Sequence, residues 1–194
     1  MIAKLAARCT AFLVLALPVL TGTAWAETPA PVWIAPVWID VPFVHQPREG
    51  CGAASIAMVM RYWAAQQGNG PSADSDVAAI QRQLYSPREH GIAAEQVGQY
   101  LRQHGFQVFA LNGSWSDLKE QLTKGRPLIA ALKPRGQREL HYVVIDGIDA
   151  ERGLVTMNDP AERKLLTRER AGFEREWSAT HNWLLLAVPA STAR

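Results

Sequence analysis

The 194-residue chain is predicted to fold as an α+β protein, an N-terminal helical part packed on an antiparallel sheet. Three observations predict this. Up to about residue 104 the apolar residues recur at three- and four-residue spacing, the period of a helix with one buried face. Beyond Gly105 the pattern turns to strand-like runs, and two of them, 140–148 and 154–160, flank a turn at 149–153 and read as an antiparallel hairpin. Strands and helices do not alternate as βαβ units, so a parallel sheet is not expected.

The elements follow in order. Lys4 and Arg8, the apolar run 12–17 and Ala24-Trp25-Ala26 have the three-part order of a secretory signal peptide, so residues 1–26 are expected to be removed on export. Residues 27–37 read as an extended N-terminal arm. A duplication spans its end, Pro31-Val32-Trp33-Ile34-Ala35 and Pro36-Val37-Trp38-Ile39-Asp40; two copies fall short of the three stacked units a solenoid needs. The second copy leads into an extended segment, 38–44, which opens the main domain, 38–189. Residues 190–194 remain as a short tail.

A helix starts at Cys51, with Ile56, Met60 and Trp63 on one face, and ends at the Gly- and Pro-containing stretch 68–72. Asp74 or Ser75 caps the next helix, which carries Val77, Ile80 and Leu84 and runs to about Tyr85. After a loop at 86–91 a third helix spans 93–104, stopped by Gly105. A strand at 106–111 follows, then a short helix to Lys124 capped by Ser114-Trp115-Ser116-Asp117, and an apolar strand at 127–132. After the hairpin, 167–177 reads as a last helix and 183–188 as a closing strand.

Composition narrows the function. Lys4 and Arg8 account for the net charge of +2: of 20 basic residues they leave 18, against 18 acidic ones. A neutral mature chain has no electrostatic case for nucleic acid or an anionic membrane as partner. Beyond the signal no apolar run approaches the roughly 20 residues that span a bilayer, and Cys9 lies too far upstream of the cleavage region to carry a lipid anchor. The expected product is a soluble, periplasmic or secreted protein with no membrane anchor after signal removal.

The chemistry centres on Cys51, the one cysteine of the mature chain. An exported protein cannot use it for an internal disulfide, which leaves an intermolecular bond or a reactive thiol. A thiol attacks as its thiolate, and the partial positive charge of a helix N-terminus favours that anion. The alternative is a small buried residue at a helix start; glycines on both sides, Gly50 and Gly52, suit a turn better than a core.

A thiolate nucleophile needs a base. If the hairpin residues pair so that their numbers sum to about 300 to 302, Asp159 stands opposite position 141 or 143. His141 and Asp159 then share a face as direct or diagonal neighbours, the geometry in which a carboxylate orients an imidazole. His104 reads as a helix C-terminal residue, and His90 and His181 as loop residues. A metal site from His45, Cys51, His141 and Asp159 is conceivable, but no close-spaced ligand pair is present, and no cofactor or metal is called for. Gln46 can donate its amide N–H to an oxyanion, with the Cys51 backbone N–H as second donor; its alternative is a solvated loop residue.

Val41-Pro42-Phe43-Val44-His45-Gln46, Gly50-Cys51-Gly52-Ala53-Ala54-Ser55, His141-Tyr142-Val143-Val144-Ile145-Asp146-Gly147 and Asn158-Asp159-Pro160 together resemble the bacteriocin-processing cysteine peptidases, papain-like domains that remove double-glycine leader peptides. The resemblance covers about 38–188. It implies a papain-like fold, a peptide or protein substrate, Cys51 as nucleophile, His141 as general base and acid, Asp159 as orienter and Gln46 as oxyanion donor. Two departures stand out. Gln46 lies five residues before Cys51 rather than six, with Gly50 in the place of an acidic residue. The best-known members are domains of export ATPases, whereas this chain has a signal peptide and no phosphate-binding loop, like a stand-alone exported branch without an ABC transporter. An amidase or acyltransferase of the same thiol type, or a peptide-binding module with little turnover, are the competing functions.

The exported protein should begin near Glu27, and N-terminal sequencing of material recovered outside the cytoplasm checks this; an intact Met1 would overturn export by signal cleavage.

Overall fold

A computed structural model describes residues 36–137 and 139–190. The expected signal peptide, the first copy of the duplication and the residues from 191 on lie outside the described residues. The elements are β1 Val37–Trp38, α1 Cys51–Gln66, α2 Val77–Leu84, α3 Ala94–Gln103, β2 Phe106–Asn112, α4 Trp115–Thr123, β3 Leu128–Leu132, β4 His141–Asp149, β5 Leu154–Asn158, β6 Leu166–Glu169, α5 Arg170–Ser178 and β7 Trp183–Pro189. Every strand pairing is antiparallel. The sheet runs β2-β7-β3-β4-β5-β6, with β1 added to β4. Helices on an antiparallel sheet are the architecture expected from the change of period near Gly105.

The opening segment is less regular than expected. Only Val37 and Trp38 pair as a strand, against Ile148 and Gly147 at the far end of β4. The ladder cannot continue, because from Ile145 on the same edge of β4 is taken by β3, whose Leu128 pairs with Ile145. Single bonds hold the rest: Ile39 N donates to Asp146 O at 2.8 Å and Asn158 Nδ2 to Val41 O at 3.0 Å, with Val41 and Val44 buried.

α1 also differs from its expected one-faced burial. Gly52 through Met60 and Tyr62 are all buried, because the helix lies between the sheet, where it packs on β4, and α2 and α3. Its small residues, Ala53, Ala54, Ser55 and Ala57, let neighbours approach on every side. The next cap is Asp76, whose Oδ1 accepts from Ala79 N at 2.8 Å. Asp74 and Ser75, the expected caps, are taken up in a 3₁₀ turn, Ala73–Ser75, where Ser75 donates to Ser72 O. α3 ends at Gly105 with φ +83°, a conformation glycine takes at little cost. Ser114 and Asp117 form a reciprocal capping box at α4.

The β4–β5 register decides the geometry of the site. Val144 pairs with Asn158 and Ile145 with Met157, a sum of 302; past a bulge at Asp146, Gly147 pairs with Thr156. The expected last helix is shorter at its start. Residues 166–169 pair with β5 as a strand, their side chains alternating between half-buried and exposed, and α5 begins only at Arg170. α5 then buries Phe173 and Trp177, and Trp177 Nε1 donates to Trp183 O at 2.9 Å. β7, the last strand in sequence, lies inside the sheet between β2 and β3.

Asp146 is fully buried at the bulge and neither carboxylate oxygen bonds another residue. Burial above all, with the Asp40 charge, outweighs its own N–H and the Lys164 ammonium and pushes its pKa up from 3.8 to about 7. A raised carboxyl pKa means that the folded state holds a proton the unfolded state has lost. The resulting stability is full below the unfolded value and is lost as pH rises through about 7. Asp146→Asn should therefore raise unfolding stability at pH 8 by on the order of a few kcal/mol and flatten its decline between pH 5 and 8, as read by urea denaturation at both pH values.

Candidate active site

Cys51 is the first residue of α1, free and partly buried. A turn at 47–50 presents it: Gly50 N donates to Pro47 O at 2.9 Å, and Glu49 holds a left-handed φ of +56°. Gly50 is required, since a Cβ there would fall 2.6 Å from the Pro47 ring carbons. Gly52 serves packing rather than substrate access, because its added Cβ would lie 3.1 Å from Ile92. No side chain caps α1 and no acidic residue sits in its first turn. The positive end of the helix is therefore not neutralised at Cys51. The thiol Sγ lies 4.0 Å from Leu140 O.

His141 begins β4 and Asp159 directly follows β5. Continuing the 302 register puts Asp159 across from Val143, so His141 is its diagonal neighbour, one of the two placements expected from the sequence. His141 Nε2 lies 2.8 Å from Asp159 Oδ1, and the same oxygen accepts from Ala161 N at 2.9 Å. Cys51 lies close enough to act on the same ring, while the thiol itself points to the Leu140 carbonyl. Burial by itself would push the imidazole pKa down. The bond to Asp159, the interaction with the nearby Cys51 side chain, and the charges of both reverse this and raise it from 6.5 to about 9. For Asp159 burial acts upward, but the imidazole and the backbone N–H groups of the following turn hold the carboxyl below its ordinary value.

Gln46 reaches the same place through its main chain, its N–H donating to Pro160 O at 3.0 Å. Its amide oxygen is buried without a hydrogen-bond partner, so the amide is not committed to a structural bond. A cleft of about 430 Å³ opens beside Cys51, walled by Glu89, His90, Ile92, Leu140 and Tyr142, among others; Gln46 is not in its lining. The structure thus bonds His141 to Asp159 beside Cys51 and ties the Gln46 main chain to Pro160, the residue after Asp159. His45 stands with its ring edge-on to Phe43, the centroids 4.8 Å apart. His104 caps α3, Nδ1 2.8 Å from Tyr100 O, and His90 and His181 are left-handed loop residues. Among the described residues no three His, Cys, Asp or Glu side chains converge to hold a metal ion.

Sequence reasoning passed over two residues here. Asn158, read only as the end of a hairpin strand and part of the Asn-Asp-Pro motif, bonds Val41 O through Nδ2 and accepts from Leu165 N through Oδ1. Glu49 takes a hydrogen bond from Tyr85, a contact that nothing in the sequence announces.

The model of the Peptidase_C39 like family matches residues 38–184. The chain belongs to that family. It is a cysteine-type peptidase. The peptidase domain of Streptococcus ComA, a bi-functional ABC transporter involved in a quorum-sensing pathway, is similar with a TM-score of 0.60 at 20% identity, over 77% of this chain and 99% of that one. A putative C39-like peptidase from Bacillus anthracis gives 0.64 at 17%, over 82% and 100%. A double-glycine-motif protease from an AMS/PCAT transporter, solved with a leader peptide, gives 0.58 at 23%, over 81% and 99%. At these identities the likeness is one of fold. No curated protein matches the sequence.

Removing the Asp159 charge should bring the His141 pKa down from about 9 toward its ordinary 6.5. NMR titration of the His141 ring in wild type and Asp159→Asn checks this; equal midpoints would mean that the carboxylate does not act on the ring.

Proposed function

We propose that the protein is an exported thiol peptidase that cleaves peptides through an acyl-enzyme on Cys51. The observation that carries this reading is the His141–Asp159 pair, Nε2 2.8 Å from Oδ1, beside the Cys51 thiol at the start of α1. The Cys51 thiolate attacks the scissile carbonyl carbon, and the C–O π pair moves onto oxygen. Collapse of this tetrahedral species breaks the C–N bond as the His141 imidazolium protonates the leaving amine. The neutral imidazole then takes a proton from water, which attacks the thioester and releases the acid and the thiolate. Asp159 orients the imidazole and stabilises the imidazolium. Gln46 and the Cys51 N–H are the proposed oxyanion donors, the uncapped first turn of α1 supporting the second of them.

Export rests on the signal-like order of residues 1–26 and stays a proposal, as does the layout of an arm at 27–37 and a peptidase domain at 38–189. Among the described residues no helix is long and apolar enough to cross a membrane.

The mature protein should cut a diverse peptide mixture that includes Gly-Gly sequences, with cut sites mapped by mass spectrometry. Cys51→Ala should abolish cutting and His141→Ala should remove nearly all of it, while Asp159→Asn should retain more than Asp159→Ala. Gln46→Ala should lower kcat by about 10²- to 10³-fold with little change in KM. An active Cys51→Ala variant would overturn the peptidase reading. Transfer to added amines in place of hydrolysis would move it to an acyltransferase.

A further inference from the structure

We propose that Glu49 is a positioning residue that ties the wall of the cleft to the turn presenting the oxyanion donors, a proposal that rests on the peptidase reading above. Glu49 has φ +56°. Glycine takes such a conformation freely, whereas a residue with a Cβ is strained in it. A turn selected only for its backbone would carry glycine there, so the glutamate side chain needs a reason of its own.

The contacts supply that reason. The Glu49 carboxylate accepts a hydrogen bond from Tyr85 Oη, at the C-terminal end of α2. Its other oxygen lies 3.9 Å from His90 Nδ1. Gln81, also on α2, extends Nε2 to the Arg48 carbonyl at 3.4 Å and the Glu49 carbonyl at 3.3 Å. His90 belongs to the 86–91 loop, which Ser86 N closes on Gly91 O at 2.8 Å and which lines the cleft. Three side chains thus grip one strained turn, and one of them comes from the substrate-facing wall.

What the turn holds is the chemistry. Gln46 precedes it and Cys51 follows it, and the Pro47–Gly50 bond fixes the distance between them. Glu49 does not line the cleft itself. It borders a separate depression with Arg48, Gln81, Arg82, Tyr85 and His90. It therefore acts through the turn: a small rotation there moves the Cys51 N–H and the Gln46 amide relative to the developing oxyanion.

The test uses the mature protein and a fluorogenic peptide built on the best-cut sequence from the mixture. Glu49→Gly frees the backbone and removes the anchor, so its melting temperature should stay close to wild type while kcat falls by about 10- to 100-fold, the usual cost of misplacing a reacting group slightly. KM should change by less than about 3-fold, because the lost interaction belongs to the transition state. Iodoacetamide labelling of Cys51 should keep its wild-type rate, since displacement forms no oxyanion. Tyr85→Phe should lower kcat as Glu49→Gly does, and Glu49→Gln, which can still accept from Tyr85, should recover most of it. A kcat for Glu49→Gly and Tyr85→Phe within about 3-fold of wild type, losses that follow the unfolded fraction, or a Gln variant no better than Gly would each overturn the proposal. Activity surviving in Cys51→Ala would instead overturn the peptidase reading, and the proposal with it.

Discussion

The bond between His141 and Asp159 closes the open end of the β4–β5 hairpin, and much of the site is arranged around it. Three consecutive residues divide the work. Asn158 ties down the chain at Val41, shortly before Gln46; Asp159 takes the imidazole; Pro160 receives the Gln46 N–H. A slip of one residue between β4 and β5 would turn Asp159 to the other face of the sheet. The register is held by the apolar pairing behind the site, where Val144, Ile145 and Met157 are fully buried, and such burial specifies register strongly. The orientation of the imidazole thus follows from packing several residues away from it.

The second fixed point is α1. A helix buried on every side costs its neighbours nothing sterically only if it is narrow where they approach, which is what its Gly and Ala residues provide. Its burial sets its N-terminus beside β4, so Cys51 packs against the core close to the His141 ring, with its Sγ 4.0 Å from the Leu140 carbonyl. The same packing leaves the first turn without a cap, at the only end of the helix where unpaired N–H groups have a proposed use.

Features set by local rules were legible in the sequence. The class, the helix beginning at Cys51, the capping box at Ser114, the stop at Gly105 and the hairpin all follow from residue types and spacing a few positions apart. The register sum placed Asp159 correctly near His141, because hairpin geometry is also local. What could not be read came from contacts distant in sequence. Burial around α1 depends on which elements surround it, not on its own period. Thr167 and its neighbours form a strand because β5 offers them an edge. Gln46 was recognised as an amide near the cysteine, but its link to Pro160 joins residues more than a hundred positions apart. Glu49 was missed because a left-handed glutamate has no signature in sequence.

Two buried carboxylates at this hairpin, Asp146 and Asp159, show how environment rather than residue type sorts chemistry from structure. Both follow from β4 and β5, and both lie almost wholly out of solvent. Asp159 has an imidazole and a backbone N–H on one oxygen, and these hold it ionised against the pull of burial. Asp146 has no bonding partner in another residue, and burial dominates, so it binds a proton near neutral pH. The carboxylate fit to steady an imidazolium is the one whose charge is already compensated by donors fixed in place. A buried acid without donors would yield its charge to a proton in the pH range where the imidazolium must persist. Of the two, only Asp159 can stay anionic beside a histidine held at about 9, and the turn after β5, with its inward-facing N–H groups, is what makes the difference.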